Sequence, residues 1–132
     1  MKTLIVEDDF TSRLLLQELL KGYGPSHIAI TGQEAVTAAG LALAFGEPYD
    51  LICLDIMMPE MDGHAALKLI RALEEDAGIW DTYRAKIVMI TALLEDAHNA
   101  TAAHMSLCDA YLAKPVDITK LLKILRQLAL IA

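Results

Sequence analysis

Residues 51–63 read Leu51-Ile52-Cys53-Leu54-Asp55-Ile56-Met57-Met58-Pro59-Glu60-Met61-Asp62-Gly63. The first four are apolar in succession and have the length of a strand. With no polar residue alternating through it, such a run belongs in a parallel sheet covered on both faces. Asp55 closes the run, Pro59 and Gly63 mark the loop that follows, and Asp62 is a good N-cap for a helix running to about residue 76.

The same unit recurs in both directions. Strand-length apolar runs lie at 3–6, 27–30, 86–90 and 110–112. Between them the spacing predicts helices. Over 11–21, Ser12, Leu15, Leu16, Leu19, Leu20 and Tyr23 share one face. Thr31 and Glu34 form a capping-box pattern that opens a second helix, ending near residue 45, in which each side chain would satisfy a backbone N–H of the other. A further helix is expected at about 94–105, and a last one from Asp117 with the stripe Ile118, Leu121, Leu122, Leu125, Leu128 and Ala129. The stretch 78–85, with the single tryptophan Trp80, reads as a surface loop. Five strands alternating with five helices, without a long polar linker or an internal repeat, predict one α/β domain with a doubly wound parallel sheet.

Composition sets the outer bounds. The chain has 132 residues and a formal charge of -7, with 18 Asp and Glu against 11 Lys and Arg. That length buries an ordinary core without disulfides, and the acidic balance argues against nucleic acid and anionic membranes as partners. The first residues are too soon interrupted by Glu7, Asp8 and Asp9 for a signal peptide, and the uncharged stretch 35–46 is too short to span a bilayer, so a cytoplasmic location is expected. Cys53 and Cys108 form no CxxC pair and read as buried free thiols. His27, His64, His98 and His104 lack metal-ligand spacing and read as structural or solvated.

In an open parallel sheet, ligands bind beyond the carboxyl ends of the strands. The residues there are Glu7, Asp8 and Asp9 after the first run, Asp55 after the third, Thr91 and Ala92 after the fourth, and Lys114 and Pro115 after the fifth. Asp and Thr in such places also cap the next helix, and for Asp9 and Thr91 both readings stand. Carboxylates within about 4 Å of one another repel by roughly 4 kcal/mol per pair at an effective dielectric near 20, so the cluster calls for a cation or raised pKa values. Hard oxygen donors suit Mg²⁺, Lys114 adds a second positive charge, and a carboxylate so placed could attack a phosphoryl group.

These residues resemble the response-regulator receiver domains of two-component signalling. The resemblance spans essentially the whole chain, from 4–8 through 51–63 and 90–92 to 109–115. It implies the flavodoxin-like (β/α)5 fold and assigns Asp55 as phosphoacceptor, fed by a histidine kinase or phosphotransfer protein. Glu7 and Asp8 would hold Mg²⁺ with Asp55 and the backbone carbonyl of Met57. The pair Glu7 and Asp8 is preferred to Asp8 and Asp9 because the family's arginine, five residues beyond the second acid, then falls on Arg13. Lys114 would bridge to a phosphoryl oxygen, Pro115 occupies the family's cis-peptide position, Ala92 leaves room for access, and Thr91 with Tyr111 forms the switch pair.

The function so implied is a stand-alone receiver over 1–132, with no output domain and an unidentified downstream protein target. It would not be an enzyme acting on an external substrate. A Mg²⁺-dependent phosphatase would want a second acid where Met57 stands. Met57 and Leu93 are apolar at positions where polar side chains orient water in some relatives, so slow dephosphorylation is expected. In the last helix Ile124 and Ile131 widen the apolar stripe. They fit either a frayed terminus or a homodimer through the fourth and fifth predicted helices and the fifth strand.

Overall fold

The computed structural model describes residues 1–92 and 107–132. Five parallel strands, β1 (Thr3–Val6), β2 (Ser26–Ala29), β3 (Leu51–Asp55), β4 (Lys86–Thr91) and β5 (Ala110–Ala113), form one sheet in the order β2-β1-β3-β4-β5. Four helices are described: α1 (Phe10–Leu20), α2 (Gly32–Ala44), α3 (Gly63–Asp76) and α4 (Ile118–Gln127). The helix expected over 94–105, with Leu93, His98 and His104, lies outside the described residues.

The unbroken apolar runs have a simple explanation. Successive residues of a strand point to opposite faces, and here each face has its own core. Leu4, Val6, Ile52, Leu54, Ile87 and Met89 join one core with residues of α2 and α3, such as Ala35, Ala39, Leu67 and Ile70. Ile5, Leu51, Cys53, Val88, Ile90 and Leu112 join the other, with Leu16 and Leu20 of α1 and Leu121 and Leu125 of α4. Cys53 and Cys108 are free and buried, as expected.

Several boundaries differ from the sequence-based expectation for identifiable reasons. The second strand is Ser26–Ala29 and excludes Ile30, whose N–H donates to the Glu34 carboxylate at 2.7 Å. Half of the predicted capping box is present, with Glu34 N–H donating to Thr31 Oγ1 at 3.0 Å. The return bond reaches one residue further back than expected. The stripe of α1 is narrower than its leucine content suggests: Leu16 and Leu20 are buried and Leu19 is partly covered, whereas Leu15 is exposed. The stretch 78–85 contains a single 3-10 turn, Asp81–Tyr83, and carries Trp80 in the open. Ile124 and Ile131 are partly buried against the chain's own core, so the extra width of the last stripe has an intramolecular use.

Three helices end in the same hydrogen-bond pattern. After α2, Gly46 N–H donates to Leu43 O and Glu47 N–H to Ala42 O. After α3, Gly78 N–H donates to Glu75 O and Ile79 N–H to Glu74 O. After α4, Ala129 N–H donates to Arg126 O and Leu130 N–H to Leu125 O. This is the Schellman motif, which places one residue in the left-handed region. Gly46 (φ 71°) and Gly78 (φ 74°) do so without steric cost, but Ala129 (φ 59°) carries a Cβ. Ala129→Gly is therefore expected to stabilise the chain by about 1 kcal/mol, and Gly46→Ala to destabilise it by a similar amount, both measured by urea denaturation.

Candidate functional site

The carboxyl ends of β1, β3, β4 and β5 converge because these four strands are neighbours in the sheet. Asp55 is the last residue of β3, paired with Ile90, and Ile56 N–H continues the ladder to Ile90 O at 3.0 Å. Glu7 follows β1 and is anchored by its own N–H to Ala29 O at 3.0 Å. Thr91 ends β4 and is buried. Its carbonyl accepts from Lys114 N–H at 2.8 Å, which brings the residue after β5 to the same edge. The Lys114–Pro115 peptide is cis, as the resemblance implied.

Among the described residues, Glu7, Asp8 and Asp55 form a group whose carboxylate oxygens lie within 4.8 Å of one another. Glu7 and Asp55 are buried and Asp8 is exposed, so the cluster opens to solvent on one side. Lys114 Nζ stands 2.7 Å from Glu7 Oε2 and 3.5 Å from Asp55 Oδ2. One Asp55 oxygen, Oδ1, also accepts from Met57 N–H at 3.2 Å. Three negative charges against one ammonium leave a deficit of positive charge, and the donors are all hard oxygens, one of them open to water. That combination fits a divalent cation such as Mg²⁺.

The electrostatics follow from the burial. Asp55 is pushed up to about 6 by its removal from water and by the charge of Glu7, with Lys114 and the Met57 N–H opposing. For Lys114, burial alone would lower the pKa, but the hydrogen bond from its ammonium to Glu7 and the charges of Asp55 and Glu7 outweigh it and hold it above the usual lysine range. Asp9 has a different role. It is the N-cap of α1, and the N–H of Ser12, donating at 2.9 Å, holds its carboxyl below the usual range. Asp8, not Asp9, joins Glu7 and Asp55 in the cluster, and Arg13 donates from Nη1 to the Glu7 carbonyl at 3.1 Å.

Two features were not expected from the sequence. Lys114 sits closer to Glu7 than to Asp55. Gly63 is required by contact: a Cβ there would lie 2.5 Å from the Asp55 carbonyl oxygen, because Gly63 N–H folds back to Ile56 O at 2.9 Å. The glycine was legible as a loop marker, but its close approach was not. Tyr111 on β5 packs partly against the core with its hydroxyl buried. His27 is structural, its Nδ1 lying 2.7 Å from the Tyr49 hydroxyl. An open cleft of about 550 Å³ runs along the loop after β3, lined by Ile56, Met57, Met58, Pro59, Asp62 and His64. None of Glu7, Asp55 and Lys114 is on its wall.

Comparison with known proteins agrees with this geometry. The response regulator receiver domain family matches residues 3–126. The osmosensing histidine protein kinase SLN1 of Saccharomyces cerevisiae is 33% identical over 128 residues, covering 96% of this chain and 10% of the kinase. Among solved structures, a CheY-like response regulator receiver domain from Methylobacillus flagellatus superposes with a TM-score of 0.76 at 27% identity, covering 97% of this chain and 98% of that one. The receiver domain of the histidine kinase CKI1 from Arabidopsis thaliana, complexed with Mg²⁺, gives 0.79 at 28% identity, covering 96% and 90%. The chain spans about a tenth of the length of the yeast kinase it matches.

The crowded carboxylates imply a stability cost without a divalent cation. Because the folded-state pKa of Asp55 lies above the ordinary 3.8, the folded chain holds the proton more tightly than the unfolded one. Stability should therefore fall as pH rises from about 4 to 6 through the ionisation of this group. In EDTA at pH 7.5, Asp55→Asn is expected to be more stable than the wild type by about 1–2 kcal/mol. That gap should narrow at pH 4.5, where Asp55 is protonated in the folded wild type. Thermal unfolding of both proteins across this range measures the effect.

Proposed function

The chain belongs to the response regulator receiver family, and we propose that it acts as a phosphorylation switch whose acceptor is Asp55. The observation that carries the reading is the Lys114 ammonium set between Glu7 at 2.7 Å and Asp55 at 3.5 Å, with Asp8 at the open side. The donor would be the phosphohistidine of a histidine kinase or phosphotransfer protein. An Asp55 carboxylate oxygen forms the new O–P bond as the P–N bond to the donor imidazole breaks.

Each residue of the site has a task in that transfer. With a pKa near 6, Asp55 is largely ionised at neutral pH and available as nucleophile. The N–H of Met57 orients the carboxylate through Oδ1. Lys114 is placed to take up a phosphoryl oxygen, and the hydroxyl of Thr91, at the adjacent strand end, to receive another. Ala92 is exposed and presents little bulk to an incoming donor. Glu7, Asp8 and Asp55, with the backbone carbonyl of Met57, would hold Mg²⁺, which when bound neutralises charge on the transferring oxygens.

Signalling would follow from Thr91 and Tyr111. Drawing the threonine hydroxyl to a phosphoryl group changes the space beside Tyr111, and the partner-binding surface changes with it. Reversing a 99:1 equilibrium by this route needs about 5.5 kcal/mol of differential stabilisation. The downstream target would be another protein in the cytoplasm. Among the described residues, no helix is long and apolar enough to cross a membrane. A homodimer across the helix expected over 94–105, β5 and α4 stays part of the reading, although Ile124 and Ile131 no longer argue for it.

The competing reading is a Mg²⁺-dependent phosphatase with an Asp nucleophile. It is disfavoured by Met57, which stands where a second acid would be needed. Incubation with Mg²⁺ and acetyl phosphate, followed by intact-mass analysis, should give one stable phosphoryl group that is absent in Asp55→Asn. Multiple turnover of a phosphate ester would overturn the switch reading in favour of the enzyme. The Met57 side chain is 57% exposed, presenting a thioether to any approaching water. Met57→Asn should accordingly shorten the phosphoryl lifetime several-fold, measured by loss of label after the donor is removed.

A further inference from the structure

A second charged cluster lies at the opposite pole of the sheet, and the phosphoryl chemistry makes no use of it. Arg71 and Glu74, on the core side of α3, are only 7% and 5% exposed. The Arg71 guanidinium donates from Nε to Leu107 O at 2.7 Å, from Nη1 to Glu74 Oε1 at 2.6 Å and Ala85 O at 2.8 Å, and from Nη2 to Asp109 Oδ2 at 3.1 Å. Glu74 Oε2 accepts from Ala85 N–H at 2.7 Å. Asp109 Oδ2 accepts from Ile87 N–H at 2.8 Å, and Asp109 N–H donates to Ile87 O at the same distance.

Buried ion clusters contribute little net stability compared with apolar packing of similar volume. What this one supplies is position. Asp109 grips Ile87 through both backbone and side chain, immediately before the pair Val88 and Ala110 that starts the β4–β5 ladder. A slip of one residue in a strand turns every side chain to the other face. The same ladder ends with Thr91 opposite Ala113, and the next residue is Lys114. Five residues of extended chain, roughly 16 Å, connect Asp109 to Lys114.

We propose that Arg71 is a positioning residue for the phosphoacceptor site: through Leu107 and Asp109 it fixes the start of β5 against α3 and β4, and so sets where Tyr111 stands within the strand and Lys114 stands past its far end. The inference rests on the reading of Asp55 as phosphoacceptor. The planar fork is what the task requires, since it serves several acceptors in fixed directions, and a lysine in its place would keep the charge but not the geometry. A displacement of about 1 Å far from the chemistry can slow a reaction by roughly a hundredfold.

The test uses the full chain and four variants: Arg71→Lys, Arg71→Met, Asp109→Asn and, as a destabilised control away from both clusters, Leu20→Ala in the opposite core. Rates of phosphorylation by acetyl phosphate with Mg²⁺ are measured at a temperature where circular dichroism shows each protein folded. Backbone amide resonances of Ala110–Ala113 and Lys114 are recorded in parallel. Arg71→Lys and Asp109→Asn should slow phosphorylation by about tenfold or more and shift those resonances, whereas Leu20→Ala, at a similar loss of stability, should match the wild type. Arg71 and Asp109 variants that are less stable yet phosphorylate at the wild-type rate with unmoved β5 resonances would overturn the proposal. If Arg71→Met does not fold, Arg71→Lys and Asp109→Asn decide the matter. A wild-type chain that takes no phosphoryl group would instead overturn the phosphoacceptor reading, and the β5 resonances would still decide whether Arg71 sets the strand.

Discussion

The Lys114 ammonium between two buried carboxylates is the constraint around which the rest of the site is arranged. Glu7 is fully buried and Asp55 is 2% exposed, and carboxylates so far from water call for a cation in contact. One lysine meets both, at 2.7 and 3.5 Å, but it cannot balance the third charge on Asp8. The protein's own groups therefore leave net negative charge at this edge of the sheet. That explains in one step the raised pKa of Asp55, the fit to a divalent cation and the expected strain in its absence.

Satisfying that constraint requires residues separated by more than a hundred positions to meet. Parallel pairing does so because it puts every carboxyl end on one edge, and the order β2-β1-β3-β4-β5 puts β1 beside β3 and β4 beside β5. The two cores hold the sheet from both sides, and their shared cost is that the central strands must be apolar on successive residues. The loop after β3 is the tightest piece. It crosses Asp55 so closely that only glycine fits at position 63, which ties the start of α3 to the acceptor. The other half of α3 holds the Arg71 cluster, so one helix spans both poles of the sheet.

Most of the architecture was legible in the residues. The five strands were within one or two residues of their observed bounds because unbroken apolar runs have few other uses in a chain of this composition. The N-caps Asp62 and Asp117 were correctly read because a short polar side chain before an amphipathic stretch has a local reason to be there. Where the reading failed, a competing local bond or the packing partner decided. Ile30 left the second strand for the Glu34 carboxylate, and Leu15 was left on the outer side of α1 because the core reached only Leu16, Leu19 and Leu20. Ile124 and Ile131 fitted either a frayed terminus or an interface by sequence, and instead pack partly against the chain's own core.

The sequence by itself determined the chemistry available at the sheet edge: which residues follow each strand, that they are carboxylates, a hydroxyl and an ammonium, and that their order resembles the receiver family. Such information is local, set by what lies one residue past an apolar run. Tertiary structure decided the rest. That Lys114 leans on Glu7 more closely than on Asp55, that Asp9 caps a helix while Asp8 joins the acidic cluster, and that Arg71 turns inward to bind Glu74 and Asp109 are relations across space. Their energies depend on distance and burial, and neither is written in the spacing of residues along the chain.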